Sequence, residues 1–312
     1  MRMRFIIIAA ILAACTRTEP DSIYVESTFI PSLSHTFPTR AGSPDEAAVK
    51  DFNLLVFNTF GELEEHVFVS GRELNGSLPR CTLRLMKDVP YTVIATANMG
   101  YKLPIQSLEE ASAFRYYLAY PDEYGPGIPM AVIQEDLIPQ TAVELRLERL
   151  MARLDLQTDR RNLDEGIFIK VTEVEVEACP KWVSLFPESR PLSRADVFPQ
   201  GLKLSGSQVE ALNREEEGTG LSGVLSLYVL ENCQGDEPFP AVTTRITVRA
   251  EYHSPQMDTE AGETLTYRFY PREACYDIVR NTVYPIVLRW GGEGFTEAPE
   301  GTFSANPSST GR

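Results

Sequence analysis

The fold class is clearest from Val143-Glu144-Leu145-Arg146-Leu147-Glu148-Arg149-Leu150-Met151-Ala152-Arg153-Leu154-Asp155-Leu156. Apolar residues stand at almost every second position, and this spacing predicts a strand because successive side chains of a strand point to opposite faces. Helical spacing fits in places as well, at positions 147, 150, 151 and 154. Since the period of two runs through most of the stretch, we favour one long strand or a bulged pair of strands.

Segments with the same alternation lie on both sides of this stretch. The turn Asn58-Thr59-Phe60-Gly61 follows one of them, and Val67-Phe68-Val69 then predicts the returning arm of a hairpin. The pattern Ser107-Leu108-Glu109-Glu110 resembles a helix N-cap and predicts one short helix over residues 111–120. Further strands are predicted at residues 49–57, 81–86, 91–97, 167–178, 224–230, 242–252, 264–270 and 282–290. So many strands with turns between them predict a mainly all-β fold of antiparallel β-sandwiches.

The length of 312 residues predicts two domains. We place an N-terminal β-sandwich at residues 49–160 and a C-terminal β-sandwich at residues 161–290, with the boundary after the long strand. Residues 15–48 are predicted to form a tether and an N-terminal strand. Residues 291–312 are poor in large apolar side chains, so we predict a flexible C-terminal tail.

Residues 1–14 are predicted to be a signal peptide. Two arginines precede the apolar run 5–14, which as a helix would rise about 15 Å, too short to cross a bilayer. The run ends in Leu12-Ala13-Ala14-Cys15, which resembles the lipobox of bacterial lipoproteins. The resemblance implies cleavage between Ala14 and Cys15, a diacylglycerol on the Cys15 thiol and an acyl chain on its new amino group. The alternative is an ordinary secretory signal that happens to contain a cysteine.

The charge of the chain limits its partners. Loss of Arg2 and Arg4 with the signal peptide removes two positive charges and takes the formal net charge from −15 to −17. This acidity argues against binding to nucleic acid and against electrostatic attachment to anionic lipid heads. No segment after Cys15 reaches about eighteen consecutive apolar residues, so none is predicted to span a membrane. Beyond the acyl chains on Cys15 we predict no cofactor and no metal.

Four cysteines follow Cys15, namely Cys81, Cys179, Cys233 and Cys275. No pair has CxxC spacing, which argues against a zinc knuckle or a thioredoxin-like site. Outside the cytoplasm, a disulfide between Cys233 and Cys275 and a set of buried free thiols both stay open. The three histidines stand in unrelated contexts, and no GxSxG, HExxH or P-loop motif is present. We therefore predict that the chain is not an enzyme.

Six further pieces of sequence, taken in their order, are typical of one family. They are Leu54-Leu55-Val56-Phe57-Asn58-Thr59-Phe60-Gly61, Tyr91-Thr92-Val93-Ile94-Ala95-Thr96-Ala97-Asn98-Met99-Gly100, Ile128-Pro129-Met130, Leu147-Glu148-Arg149-Leu150-Met151-Ala152-Arg153-Leu154, Tyr228-Val229-Leu230-Glu231-Asn232 and Arg280-Asn281-Thr282-Val283-Tyr284. With a lipobox in front, the set resembles the fimbrial anchor and fimbrillin lipoproteins of Bacteroidetes, the FimB-type family of minor-fimbrium anchoring subunits.

The resemblance covers roughly residues 15–290 and carries several implications. It implies two transthyretin-like β-sandwich domains and a part in the attachment or assembly of fimbriae, which supports cell adhesion. It implies a place in the fimbrium and at the cell outer membrane, lipid-anchored and exposed at the surface. It also implies partners, the stalk or accessory subunits of the fimbrium, which join by β-strand addition.

In polymerising members of this family an N-terminal strand is lost by cleavage after an arginine. Here the bond between Arg40 and Ala41 is the candidate maturation site, and the alternative is an ordinary exposed arginine in a loop. Cleavage at this bond would free the body from the lipid on Cys15. A permanent anchor must therefore keep residues 23–37, which we predict to be its own first strand. It would then engage the neighbouring subunit through its C-terminal part.

Two other functions stay open at this point. The chain could be a tip or accessory adhesin matured by that cleavage, or a surface lipoprotein that binds glycans, which Trp182 and Trp290 in one groove would favour. Within the six pieces, Arg149 and Arg153 are interpreted as solvated arginines beside a buried strand. The pair Glu231-Asn232 is interpreted as the closing of a turn.

Overall fold

The computed structural model describes residues 23–34, 45–74, 78–123, 125, 127–187, 192–235, 239–255, 263–271 and 276–292. Within these residues the strands are β1 (Tyr24–Leu33), β2 (Phe52–Phe57), β3 (Leu63–Val69), β4 (Cys81–Met86), β5 (Tyr91–Ala97), β6 (Arg115–Tyr117), β7 (Met130–Leu137), β8 (Ala142–Arg149), β9 (Met151–Leu163), β10 (Phe168–Glu177), β11 (Trp182–Ser184), β12 (Leu202–Ser205), β13 (Leu225–Leu230), β14 (Arg245–His253), β15 (Glu263–Phe269) and β16 (Val283–Gly292). The helices are α1 (Gly71–Leu74) and α2 (Leu108–Ala113), with short 3-10 helices at Arg194–Asp196, Gly206–Gln208 and Glu210–Asn213.

Seven strands form the N-terminal sandwich, in the order β3-β2-β5-β7-β8-β1-β4. β7 and β8 pair at only two positions, residue 130 opposite 149 and residue 131 opposite 148, so the sheet folds over at this corner. The half made of β8, β1 and β4 then faces the other half across one apolar core. Fully buried side chains of this core include Phe29, Leu54, Val93 and Leu145.

The C-terminal sandwich consists of a three-stranded sheet, β13-β9-β16, and a four-stranded sheet, β12-β10-β14-β15. Their facing side chains form a second apolar core, which includes Leu154, Val248, Ile286 and Trp290. The burial of apolar surface is the main stabilising contribution in both sandwiches, at about 25 cal/mol for each Å² removed from water.

A third core joins the two sandwiches. The outer face of β2 and β5 contributes Leu55 and Ile94, and the C-terminal sandwich contributes Met151, Tyr228 and Leu230. The long connection between β5 and β7 packs into the same core, together with the small sheet of β6 and β11. The two sandwiches are therefore held together by buried side chains as well as by the chain that links them.

The predicted fold class is confirmed, and the predicted strands 81–86 and 91–97 coincide with β4 and β5. Residues 143–156 form parts of two strands, β8 and β9, which meet at Leu150. β9 pairs with β13 and β16, so the predicted boundary at residue 160 falls inside β9. The apolar positions change from odd numbers (143, 145, 147) to even numbers (150, 152, 154, 156) at this point, so a break in the alternation marks the change of sheet.

The structure differs from the prediction in the extent of the helix. The Ser107 hydroxyl accepts a hydrogen bond of 3.1 Å from the backbone N–H of Glu110, as the N-cap pattern predicts. The helix ends at Ala113, because the backbone turns extended at Phe114 and enters β6. Residues 114–120 therefore form a short strand and a loop, although their aromatic residues have the spacing of a helix. Two strand pairings, β1 with β8 and β9 with β16, are parallel.

Candidate functional site

The N-terminal strand β1 lies inside the sheet, between β4 and β8. It runs antiparallel to β4 and parallel to β8, with residues 24–29 opposite 86–81 and residues 28–33 opposite 142–147. The side chain of Phe29 is fully buried among the core residues of the N-terminal sandwich. β1 therefore completes this sandwich, as predicted for the first strand over residues 23–37; residues 35–37 lie outside the described part of the chain.

Beyond the end of β1, the chain re-enters the described structure at Asp45 and places Glu46 at the junction of the two sandwiches. The Glu46 carboxylate accepts hydrogen bonds from Arg153 Nη1 at 2.6 Å and from the Tyr228 hydroxyl at 2.7 Å. Arg149 Nη2 donates to the Glu46 carbonyl oxygen at 3.1 Å, and Arg149 Nε lies 3.5 Å from Oε2. All three charged side chains are buried.

Asp155 balances the second positive charge of this cluster. Its carboxylate accepts hydrogen bonds from Arg153 Nη2 at 3.0 Å and from the Ser226 hydroxyl at 2.6 Å. Burial lowers the pKa of Arg149, and the single carboxylate of Glu46 compensates only in part. Burial acts in the same direction at Arg153, but Glu46 and Asp155 together outweigh it and raise the pKa. The cluster of two arginines and two carboxylates is electrically neutral. We call these four residues with Tyr228 the polar junction.

The polar junction is connected to the end of β1. Arg149 Nη1 donates to the Asn281 side-chain oxygen at 3.3 Å, and Asn281 Nδ2 donates to the Ser34 hydroxyl at 2.9 Å. Ser34 follows β1 directly and its N–H donates to the carbonyl of Leu147 on β8 at 3.0 Å. Asn281 precedes β16 and also donates through its backbone to Met151. The first and last described strands are thus linked through one asparagine.

Asn98 fixes the chain that carries Glu46. Its side chain accepts a hydrogen bond from the N–H of Lys50 at 2.7 Å and donates to the carbonyl oxygens of Ala48 and Ile128 at 2.9 and 2.7 Å. Gly127 has φ +100°, and a Cβ there would lie 2.7 Å from Asn98 Nδ2. The piece Asn98-Met99-Gly100 therefore does more than turn the chain after β5.

A second buried ion pair, between Arg280 and Glu231, connects the C-terminal sandwich to the segment around β11. Arg280 Nη2 donates to the Glu231 carboxylate at 2.6 Å, and the guanidinium also donates to the carbonyl oxygens of Ser184 and Leu185. Asn232 donates to Val242 and Thr244 at 2.8 Å. The interpretation of Glu231-Asn232 as a simple turn is thus wrong, because Glu231 binds Arg280, 49 positions along the chain, and Asn232 binds residues 10 and 12 positions along it.

Other predicted residues lie outside the described part of the chain. These are Ala14 and Cys15, the candidate maturation pair Arg40 and Ala41, Cys275, and residues 293–312 of the tail. The acylation, the cleavage and the disulfide of Cys233 with Cys275 remain predictions. Cys81 and Cys179 are buried free thiols.

The interpretation of Arg149 and Arg153 as solvated is wrong. Both guanidinium groups are buried, because Arg149 at the end of β8 and Arg153 on β9 lie where the two sandwiches meet. Trp290 is also buried, in the core of the C-terminal sandwich, while Trp182 is partly exposed and donates to Asp196 at 2.8 Å. The two tryptophans do not share a groove.

Among the described residues, no helix is both long and apolar enough to cross a bilayer. No group of three or more His, Cys, Asp or Glu side chains within the same residues is arranged to hold a metal ion.

The arrangement of two sandwiches with an internal first strand is shared with several solved structures. No family model and no curated protein matches the sequence. A fimbrilin from Porphyromonas gingivalis is 14% identical, with a TM-score of 0.60 over 88% of this chain and 92% of that one. A candidate cell adhesion protein from Bacteroides eggerthii is 13% identical, with a TM-score of 0.60 over 92% of both chains. A tip fimbrial protein from Porphyromonas gingivalis is 14% identical, with a TM-score of 0.53 over 85% and 94%. The chain therefore has the fold of these fimbrial and adhesion proteins.

Sequence reasoning missed Glu46. It stands before the first clear strand of the body, and its partners Arg153 and Tyr228 follow 107 and 182 residues later. One feature of the sequence does indicate a buried ion pair here. Arg153 and Asp155 lie on one face of a strand, and the residues on either side of them, Ala152, Leu154 and Leu156, are all apolar. Charged residues in such a strand are paired when they are buried.

Proposed function

We propose that the protein is a subunit that anchors fimbriae, attached to the outer membrane by acyl chains on Cys15. The observation that supports this most directly is the filled seam between β4 and β8, where β1 lies as an internal strand with Phe29 in the core. A subunit that keeps β1 keeps its covalent connection to Cys15. A subunit of this kind has a structural and adhesive role and catalyses no reaction.

An anchor must also bind the first subunit of the filament, and the C-terminal sandwich is suited to this task. β9 starts at the polar junction and ends at Leu163, and β16 runs parallel to it until Gly292 lies opposite Leu163. The chain therefore leaves the described structure at the end of the C-terminal sandwich that lies away from the junction. We infer that the neighbouring subunit binds at this end, where residues 293–312 begin.

The variant Cys15→Ser tests the anchor directly, and Thr16→Ser is a matched control at the adjacent position. We expect the Cys15→Ser protein to leave the membrane fraction and the filaments to appear in the medium, while the control keeps both on the cell. Retention of the Cys15→Ser protein in the membrane, with filaments firmly attached, would contradict the proposal.

A second candidate function is a tip or accessory subunit released by cleavage after Arg40. One observation favours it. Arg40 lies between Ser34, which follows β1, and Asp45, so cleavage after Arg40 would leave β1 attached to the rest of the protein by non-covalent contacts alone. The variant Arg40→Ala distinguishes the two functions. An anchor keeps its mass, its location and its filaments in this variant, whereas a tip subunit loses its maturation and accumulates at the membrane.

A further inference from the structure

Five exposed apolar side chains gather at one end of the N-terminal sandwich. Tyr24 and Met86 are opposite each other where β1 begins and β4 ends, and Ile23 precedes β1. Phe60 lies at the turn between β2 and β3 and is 86% exposed, and Ile138 follows β7. The strand register places these positions at the same end of the sandwich, because Phe57 is opposite Thr92 and Tyr91 is opposite Leu137. β8 starts at Ala142, soon after Ile138, and Ala142 is opposite Thr28 in the first half of β1. We call this surface the free end.

The free end is also the end at which the chain arrives from Cys15. Only residues 16–22 separate Cys15 from Ile23, and eight residue steps span at most about 29 Å when fully extended. The opposite end of the same sandwich carries Ser34 and Arg149 and is covered by the C-terminal sandwich. A lipid on Cys15 therefore keeps Ile23, at the free end, within about 29 Å of the bilayer.

We propose that the free end docks on the surface of the bilayer that holds the lipid of Cys15. This inference rests on the proposed anchoring function and adds an orientation to it: the N-terminal sandwich stands on the membrane and the C-terminal sandwich points away. Tyrosine and aliphatic side chains suit the interface of a bilayer, where an apolar body and a polar tip are both accommodated. The acyl chains make the contact effectively intramolecular, so a small apolar surface is sufficient.

The charges around the free end determine whether electrostatic attraction to lipid headgroups contributes to docking. Arg84 lies over the Tyr24 ring, 4.5 Å from its centroid, and Lys87 follows Met86. Asp88, Glu62 and Asp136 are exposed in the turns and strand ends of the same region. Since both signs are present, anionic lipids gain little by electrostatic attraction. We therefore expect docking on neutral phosphatidylcholine that changes little with salt.

The test uses the acylated protein, purified from membranes and reconstituted into phosphatidylcholine vesicles whose acyl chains carry bromine. Tryptophan is introduced at the free end by Phe60→Trp and, separately, by Ile138→Trp. The matched control is Phe168→Trp, because Phe168 is 56% exposed and starts β10 at the end of the C-terminal sandwich away from the junction. The fluorescence of the parent protein, with Trp182 and Trp290, is subtracted.

We expect brominated lipid to quench the added fluorescence of both free-end variants and to leave that of the Phe168→Trp variant unchanged. Equal quenching at all three positions, or none at the free end of vesicle-bound protein, would overturn the docking surface and leave the anchor intact. Protein that carries no acyl chain and does not enter the vesicle fraction would overturn the anchor, and the docking surface with it.

Discussion

The hydroxyl of Tyr228 on β13 donates a hydrogen bond of 2.7 Å to the carboxylate of Glu46, which precedes β2 by six positions. This bond crosses from one sandwich to the other and lies within reach of both buried arginines. Glu46 is carried by the chain that follows β1 and the predicted maturation bond. The junction of the sandwiches and the N-terminal strand therefore form one connected structure.

The polar junction is expected to respond strongly to the loss of one charge. Replacing Arg153 by methionine leaves the buried carboxylates of Glu46 and Asp155 without their shared partner, and breaking a buried pair in this way costs about 3–5 kcal/mol. Arg146→Met is the matched control on β8, because its ion pair with Glu144 is exposed and worth about 0–1 kcal/mol. Denaturant unfolding measures both changes, and equal midpoints for the two variants would contradict the structural role of the junction.

The N-terminal strand is expected to be an integral part of the sandwich. Replacing Phe29 by alanine removes a fully buried ring and should lower the free energy of unfolding by about 3–5 kcal/mol. Tyr24→Ala on the same strand removes a surface ring on which Arg84 is stacked, and its effect should stay within about 1 kcal/mol. Thermal or denaturant unfolding of the Cys15→Ser protein measures the difference. Similar small losses for both variants would mean that β1 contributes little to the core.

His66 should make stability depend on pH. Burial, with a contribution from the charge of Lys102, lowers the pKa of His66 to about 4. The unfolded chain, with a pKa near 6.5, binds the proton more readily between these two values, so stability falls as the pH drops from 6.5 towards 4. The variant His66→Gln lacks this proton, and its stability should fall less over the same window. Parallel curves of stability against pH for the two proteins would exclude His66 as the cause.

The thiols of Cys81 and Cys179 should be inert in the folded protein. Burial raises the pKa of Cys81, and it raises the pKa of Cys179 to about 12. Because the thiolate is the reactive form, iodoacetamide at pH 8 should modify neither residue until the protein unfolds. Mass spectrometry of alkylated peptides, with and without denaturant, measures this. Rapid modification of Cys179 in native buffer would show that its surroundings open to solvent.

Much of the fold could be predicted because alternation is a local signal. In Tyr91–Ala97 every second side chain is buried, and the alternation of its residues alone predicts the strand. β7, Met130–Leu137, was missed because its apolar residues come in a block followed by polar ones, without alternation. β6 and β11 have three residues each, too few to show any period.

The polar junction could not be predicted in the same way. A charged residue on a strand is usually solvated, and the burial of Arg149 depends on a second sandwich that packs against it. Whether that face is covered is decided by contacts between residues far apart in sequence, such as Asn281 and Ser34, which are 247 positions apart. A pattern within one segment carries no information about such contacts.

An anchor of the proposed kind keeps its acylated Cys15 and the intact bond between Arg40 and Ala41 in the mature protein. Protein purified from membranes should be digested at glutamate and measured by mass spectrometry, since cleavage after Glu26 and Glu46 yields a peptide that spans this bond. An anchor should give an intact peptide of residues 27–46 together with an acylated peptide that begins at Cys15. A mature protein that begins at Ala41, with no acylated Cys15 in the sample, would contradict the anchoring function.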